Sequence, residues 1–204
     1  MGFLHCDLQP KNILIDEHGI LKICDFKLTK KLPKAPLGSQ PMESRGCPLY
    51  MAPELFSSEG VHSYSTDFWA LGCILFELRM NGSPFSCKWF NDQLSTEDRS
   101  SGCYDETIDG TPHEILENIR KYQLTAVVDM MIEKYQKIEK QKLSSQRVTK
   151  SPNKILHNSP SNSGTVVSLP SLSPEFMDLL CWILERAPPY RCSWFDPIFY
   201  ALFI

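Results

Sequence analysis

No apolar run in this sequence is long enough to span a bilayer, and no basic-then-apolar stretch follows Met1. Neither a membrane span nor a secretory leader is therefore expected. Charge of one sign is scarce, because the formal net charge is only −3. Nothing global favours nucleic acid or an anionic membrane as partner. No two of the eight Cys form a C-x-x-C pair, which removes the commonest zinc and redox spacings. Cys24, Cys73 and Cys181 lie inside apolar runs and read as reduced, buried thiols of a cytoplasmic protein. There is no internal repeat. What is present is 204 residues with 42% apolar content, enough to bury the core of one domain.

Asn12 to Asp16 and Leu21 to Asp25 read as two short strands, joined by the turn Asp16-Glu17-His18-Gly19. Residues 27–48 read as a loop, and Met51 to Phe56 as the opening of a short helix. Ser65-Thr66-Asp67 is expected to cap a long helix from Phe68 to about Met80, closed by Asn81-Gly82. That helix is apolar nearly all round, so it belongs inside a core. Thr111-Pro112-His113-Glu114 is a capping box that opens a helix through Lys121. Val128, Met131, Ile132, Tyr135 and Ile138 share one face of the next helix. Residues 144–168 lack periodicity and are expected to be disordered. Ser173-Pro174-Glu175 starts another helix, and Trp194 to Ile204 is a final apolar segment. Ser151, Ser159 and Ser173 each precede Pro; linker or helix-start composition explains them better than phosphorylation. Residues 91–117 are acidic with Arg99 as their one Lys or Arg, whereas 120–154 are mainly basic. A solvated surface and a docking face both remain open there.

The chemistry sits near the start. His5-Cys6-Asp7-Leu8-Gln9-Pro10-Lys11-Asn12 precedes the first strand, and Ile23-Cys24-Asp25-Phe26-Lys27 ends the second. A phosphoryl group in flight spreads negative charge, so its catalysis is mostly positioning and electrostatics. Asp7 suits the role of proton acceptor. The Asn12 amide oxygen and the Asp25 carboxylate are hard ligands suited to Mg²⁺. A hydrolase dyad of Asp7 and His5 is the weaker alternative.

H-x-D-L-x-P-x-N, then Asp25-Phe26, then Met51-Ala52-Pro53-Glu54, then Asp67-Phe68-Trp69-Ala70-Leu71-Gly72-Cys73 resembles the C-terminal lobe of a eukaryotic protein kinase. The wording of residues 45–56 and 61–73 resembles the Unc-51-like and Fused branch, and within it the Runkel-type members. The resemblance implies a mainly α (α+β) fold: a C-terminal helical kinase lobe with a short β-hairpin, its N-terminal lobe absent. It covers 1–86, resumes at 111–121 and 170–204, and leaves 87–110 (acidic) and 122–169 (a basic helix, then a Ser/Pro/Asn-rich stretch) as insertions. It implies ATP and Mg²⁺ as cofactors, with Gln9, Asn12 and Asp25 at the nucleotide phosphates and Asn12 and Asp25 on the metal. It implies that Glu54 pairs with Arg191, that Asp67 ties down the catalytic-loop backbone, and that His5 orients that loop. Members of the group are often inactive and linked to microtubule-based structures. Protein substrates or scaffold partners are thus expected, including microtubule-associated proteins, with a cytoplasmic or cytoskeletal location and neither nucleic acid nor membrane.

Four positions depart from an active kinase. Cys6 replaces an Arg that would collect a loop phosphate. Gln9 replaces a Lys that neutralises the transferring phosphate, a loss of about 10²–10³ in rate. Cys47 replaces a Thr that bonds the Asp7 and Gln9 positions, and thiol is a weak donor. Lys27 replaces a Gly and lies either beside Asp25, where its ammonium would stand in for metal charge, or in solvent with the Lys30, Lys31 and Lys34 cluster; a Cβ there is expected to cost about 1–3 kcal/mol in backbone strain. The Gly-rich loop and the phosphate-gripping Lys of the family are not found in this chain. The resemblance thus implies a pseudokinase scaffold that binds ATP poorly and exposes apolar surface, or else an active kinase whose N-terminal lobe is missing from the gene model.

Overall fold

The computed structural model describes residues 3–31, 40–41, 46–57, 60–90, 109–148 and 172–191. Trp194 to Ile204, Ser151, Ser159, residues 91–108 of the first expected insertion and 149–169 of the second lie outside the described residues. The fold is mainly α with short antiparallel strands, in line with the expected class. In chain order the strands are β1 (Phe3–Leu4), β2 (Ile13–Ile15), β3 (Leu21–Ile23), β4 (Lys30–Lys31), β5 (Gln40–Pro41) and β6 (Val61–His62). The helices are α1 (Tyr64–Met80), α2 (Pro112–Lys121), α3 (Leu124–Val148) and α4 (Pro174–Ile183).

The β2–β3 hairpin pairs Ile13 with Ile23 and Ile15 with Leu21. Its turn is built by Asp16, whose Oδ1 accepts the amides of His18 and Ile20, both at 2.9 Å. Lys22, at 2.9 Å, and these amides hold the Asp16 carboxyl below its usual range. Gly19 supplies the left-handed φ of 79° that the turn needs. The segment expected to be loop contains β4, which pairs with β1 in the register Phe3↔Lys31. β5 pairs with β6 through Gln40↔His62.

Helix α1 runs through the core, burying Trp69, Cys73, Phe76 and Met80. It starts earlier than its sequence suggests. The Thr66 hydroxyl turns back to accept the Ser63 amide at 3.0 Å, so Ser63 is the cap and Ser65, Thr66 and Asp67 lie within the first turns. Asn81 ends it in the left-handed region (φ 57°), with its amide on the Glu77 carbonyl. Helix α2 opens with the expected reciprocal bonds between Thr111 and Glu114 and buries Ile115 and Ile119. Helix α3 buries Val127, Val128 and Met131, and its Tyr135 hydroxyl donates to the Met80 carbonyl at 2.7 Å. It continues to Val148, so residues 144–148, expected to be disordered, extend a helix already docked on the core. Ser173 caps α4 by accepting the Phe176 amide, which gives its Ser-Pro step a structural role. Of the three thiols expected to be buried, Cys73 is buried and Cys24 half-buried; Cys181 is exposed, because Leu180 and Ile183 take the core face of α4. Asp109 is buried too, accepting from the Ser86 hydroxyl at 2.7 Å, so this acid is not part of a solvated surface. Among the described residues no helix is long and apolar enough to cross a membrane.

Gly72 lets α1 and α4 approach closely. A Cβ there would lie 2.6 Å from Ile183 and 2.8 Å from Leu184. Gly72→Ala is therefore expected to lower the unfolding free energy by about 1–3 kcal/mol through overpacking. A denaturant titration checks this; an unchanged midpoint would show that the contact has slack.

Candidate active site

The loop between β1 and β2 is held from below by α1. The Asp67 carboxylate accepts the amides of His5 at 2.7 Å and Cys6 at 3.1 Å. Burial pushes the Asp67 carboxyl upward, and these two amides pull it back. The turn they impose places Cys6 in the left-handed region, with φ 66°, a conformation a residue with a Cβ adopts only under constraint. His5 is buried and bridges the two motifs. One ring nitrogen meets the Cys24 carbonyl at 2.9 Å, and the other accepts the Asp7 amide at 3.3 Å. Its ring also packs edge-on against Phe26, with centroids 5.2 Å apart.

Asp7 and Asn12 come together as the spacing suggests. A 3₁₀ turn over Pro10–Asn12 lets Asn12 Nδ2 donate to the Asp7 carbonyl at 2.8 Å and to its Oδ2 at 3.2 Å. Gln9, itself buried, donates its amide to Asp7 Oδ1 at 2.6 Å. Both Asp7 oxygens are thus held by neutral amides. Asp25 follows the hairpin, which the Cys24 amide closes onto the Asn12 carbonyl at 2.9 Å. Asp25 is left-handed, with φ 63°, and its buried Oδ1 accepts no hydrogen bond.

Lys27 combines the two readings open for it. Its ammonium is 3.4 Å from Asp25 Oδ1, although the side chain is 85% exposed. The expected strain at Lys27 is absent: it sits in a 3₁₀ turn over Phe26–Leu28, and the left-handed residue is Asp25. Cys47 is half-buried, and Asp7 takes its side-chain bonds from Gln9 and Asn12 instead. Burial first, then Asp67, pushes the Cys6 thiol up to about 12. Burial pushes Cys47 up to about 11. Both remain protonated near neutrality and are not nucleophiles.

Glu54 and Arg191 form the expected pair. The guanidinium donates to Glu54 Oε1 at 2.8 Å and Oε2 at 3.0 Å. Its remaining donors reach the carbonyls of Ser65, Glu185 and Arg186, and the group lies 4.9 Å over Trp69. The Arg191 side chain is fully buried, and every guanidinium donor is satisfied. One contact went unforeseen: the Tyr50 hydroxyl donates to Glu77 Oε2 at 2.5 Å. A lone Glu in the apolar run of α1 was its only signal.

Asp25 Oδ1 and the Asn12 amide fit a hard cation, because one is a buried acceptor without a donor and the other has its Nδ2 already committed to Asp7. Among the described residues no three His, Cys, Asp or Glu converge to hold a metal by themselves. A metal here would share its coordination with phosphate and water. Beside the site lies an apolar trough of about 570 Å³ between the hairpin and α1, lined by Leu4, Ile13, Ile23, Phe26 and Leu71 among others. Leu14, Ile15 and Leu21 on the hairpin are more than half exposed, in keeping with the expected apolar surface.

The sequence profile of the protein kinase domain matches residues 1–200. The chain is similar to the serine/threonine-protein kinase RUNKEL of Arabidopsis thaliana, 47% identical over 98 residues, which are 47% of this chain and 7% of that protein. It is similar to a probable cell division protein kinase of Encephalitozoon cuniculi, 43% identical over 86 residues (42% of this chain, 26% of that protein). It is also similar to the serine/threonine-protein kinase fused of Drosophila melanogaster, 42% identical over 83 residues (40% of this chain, 10% of that protein). The matched stretches thus span about a quarter or less of these relatives.

Removing one partner of a buried ion pair strands the other. Arg191→Ala should cost about 3–5 kcal/mol, read as a lowered unfolding midpoint. A loss under about 1 kcal/mol would show that Glu54 regains water when Arg191 goes.

Proposed function

The chain belongs to the protein kinase domain family, and from that premise we propose that it is a Ser/Thr-kinase-type lobe acting as a scaffold or regulator rather than as an efficient phosphotransferase. The observation that carries this reading is the state of Asp7. Transfer to a protein hydroxyl needs, beside the base, a cation on the transferring phosphate. Here Gln9 and Asn12 each donate a neutral amide to one Asp7 oxygen, and neither brings a charge. Gln9 carries no charge to give the phosphate, and the Lys27 ammonium pairs with Asp25. ATP and Mg²⁺ are the cofactors of the proposal. Asn12 and Asp25 would hold the metal, which would neutralise charge on the nucleotide phosphates.

In this reading residues 1–86, 111–121 and 170–204 are the kinase lobe, and 87–110 and 122–169 are insertions. The clasp of Ser86 and Cys87 on Asp109 supports an insertion closed at its base. Resemblance to the Runkel-type group supports a cytoplasmic, cytoskeleton-associated protein with microtubule-associated partners.

A second reading, an active Ser/Thr kinase, draws on one observation. Asp25 keeps a buried oxygen without a hydrogen-bond donor, and a metal would satisfy it. Phosphate transfer from labelled ATP to a generic protein substrate separates the two, with the full chain compared to its Asp7→Asn variant. The scaffold reading expects equal incorporation. Incorporation by the unmodified chain about 10²-fold or more above Asp7→Asn, the scale of a general-base contribution, would establish the active reading.

A further inference from the structure

His62 has no part in the chemistry above, yet its surroundings are unusual. It is 2% exposed, and neither ring nitrogen has a hydrogen-bond partner among the described residues. Buried polar groups rarely stay unpaired, because each costs about 1–3 kcal/mol when stranded. The ring lines a small cavity together with Asp7, Cys47, Thr66 and Asp67. That cavity offers about 20 Å³ to a water-sized sphere, and roughly 10–15 Å³ on that measure holds one water. Its polar lining is right for one as well. The Asp7 and Asp67 carboxylates each accept two hydrogen bonds and retain unused lone pairs.

We propose that His62 binds one ordered water in this cavity and through it braces the catalytic loop, which makes His62 a positioning residue for Asp7. The water would join β6, and the β5 strand paired to it, to the Asp67 carboxylate that holds the His5 and Cys6 amides. Neutral imidazole suits this task, since it offers one donor and one acceptor. Burial keeps the ring neutral against the acids around it. Glu54, from the turn after Ala52, favours charging it, but Arg191 already neutralises Glu54. Asp67 from α1 is engaged by two loop amides, Asp7 by two side-chain amides, and Cys6, Cys47 and Tyr50 stay protonated. Burial accordingly holds His62 below the usual imidazole range. The unfolded chain takes up this proton first as pH falls. The contribution of His62 is thus complete above about pH 6.5 and is lost as pH drops through the lower folded value.

The test uses the full chain with isotope-labelled histidine, and its readouts do not involve phosphate transfer, so it is independent of the scaffold reading. The His62 ring should remain neutral at a pH where free imidazole in the same solution has titrated. It should also show magnetisation exchange with a long-lived water. His62→Phe should speed hydrogen exchange of the His5 and Cys6 amides about tenfold, the scale of one lost hydrogen bond. His62→Gln, which keeps a donor and an acceptor, should restore them to within about twofold. Titration of His62 together with free imidazole would overturn the proposal. So would a neutral ring with no bound water, or loop amides equally protected in His62→Phe. The ring and water readouts are made on the unmodified chain, so they decide the matter even if a variant fails to fold.

Discussion

Everything near the candidate active site depends on one carboxylate. Asp67 is carried by a helix that runs through the core, and it grips two consecutive amides of the loop that bears Asp7. A charge in such a place would be a liability without partners. With them it transmits the rigidity of the core to a loop that has little secondary structure of its own. The left-handed turn at Cys6, the buried His5 and the Asn12–Asp7 bond all follow from that fixed backbone. The Glu54–Arg191 pair does the same for the segment after Cys47, fastening it to the start of α1 and to the turn after α4.

The altered residues make sense together on this frame. Gln9 keeps the length of a residue that reaches the Asp7 carboxylate but offers it a neutral amide. Lys27 sets an ammonium beside an aspartate oxygen that accepts no hydrogen bond among the described residues. Cys6 and Cys47 are held as neutral thiols by burial. The architecture of the loop is thereby preserved while its electrostatics are weakened.

Much of this arrangement could be read in the sequence, because it rests on local patterns. Thr111 and Glu114 specify their own reciprocal bonds, the apolar face of α3 is periodic, and Asp7, Asn12 and Asp25 are set by a short turn and a hairpin. Glu54, Asp67 and Arg191 were placed by family resemblance, and the geometry agrees. The rest depends on contacts between distant residues. The start of α1 was misread because the Thr66 hydroxyl turns back to the Ser63 amide while Asp67 turns away to the loop. Tyr50 meets Glu77, and His62 enters a cavity, only once the core has formed. Cys181 looked buried because its neighbours are apolar, and which face of α4 meets the core was not visible in so short a run.

The role of Asp67 is open to direct measurement. Hydrogen exchange of the His5 and Cys6 amides can be compared between the unmodified chain and Asp67→Ala. Loss of a bond to a charged group predicts about 10–100-fold faster exchange at those two amides, with the interior of α1 unchanged. If both amides stay as protected as before, the loop is held by something other than Asp67.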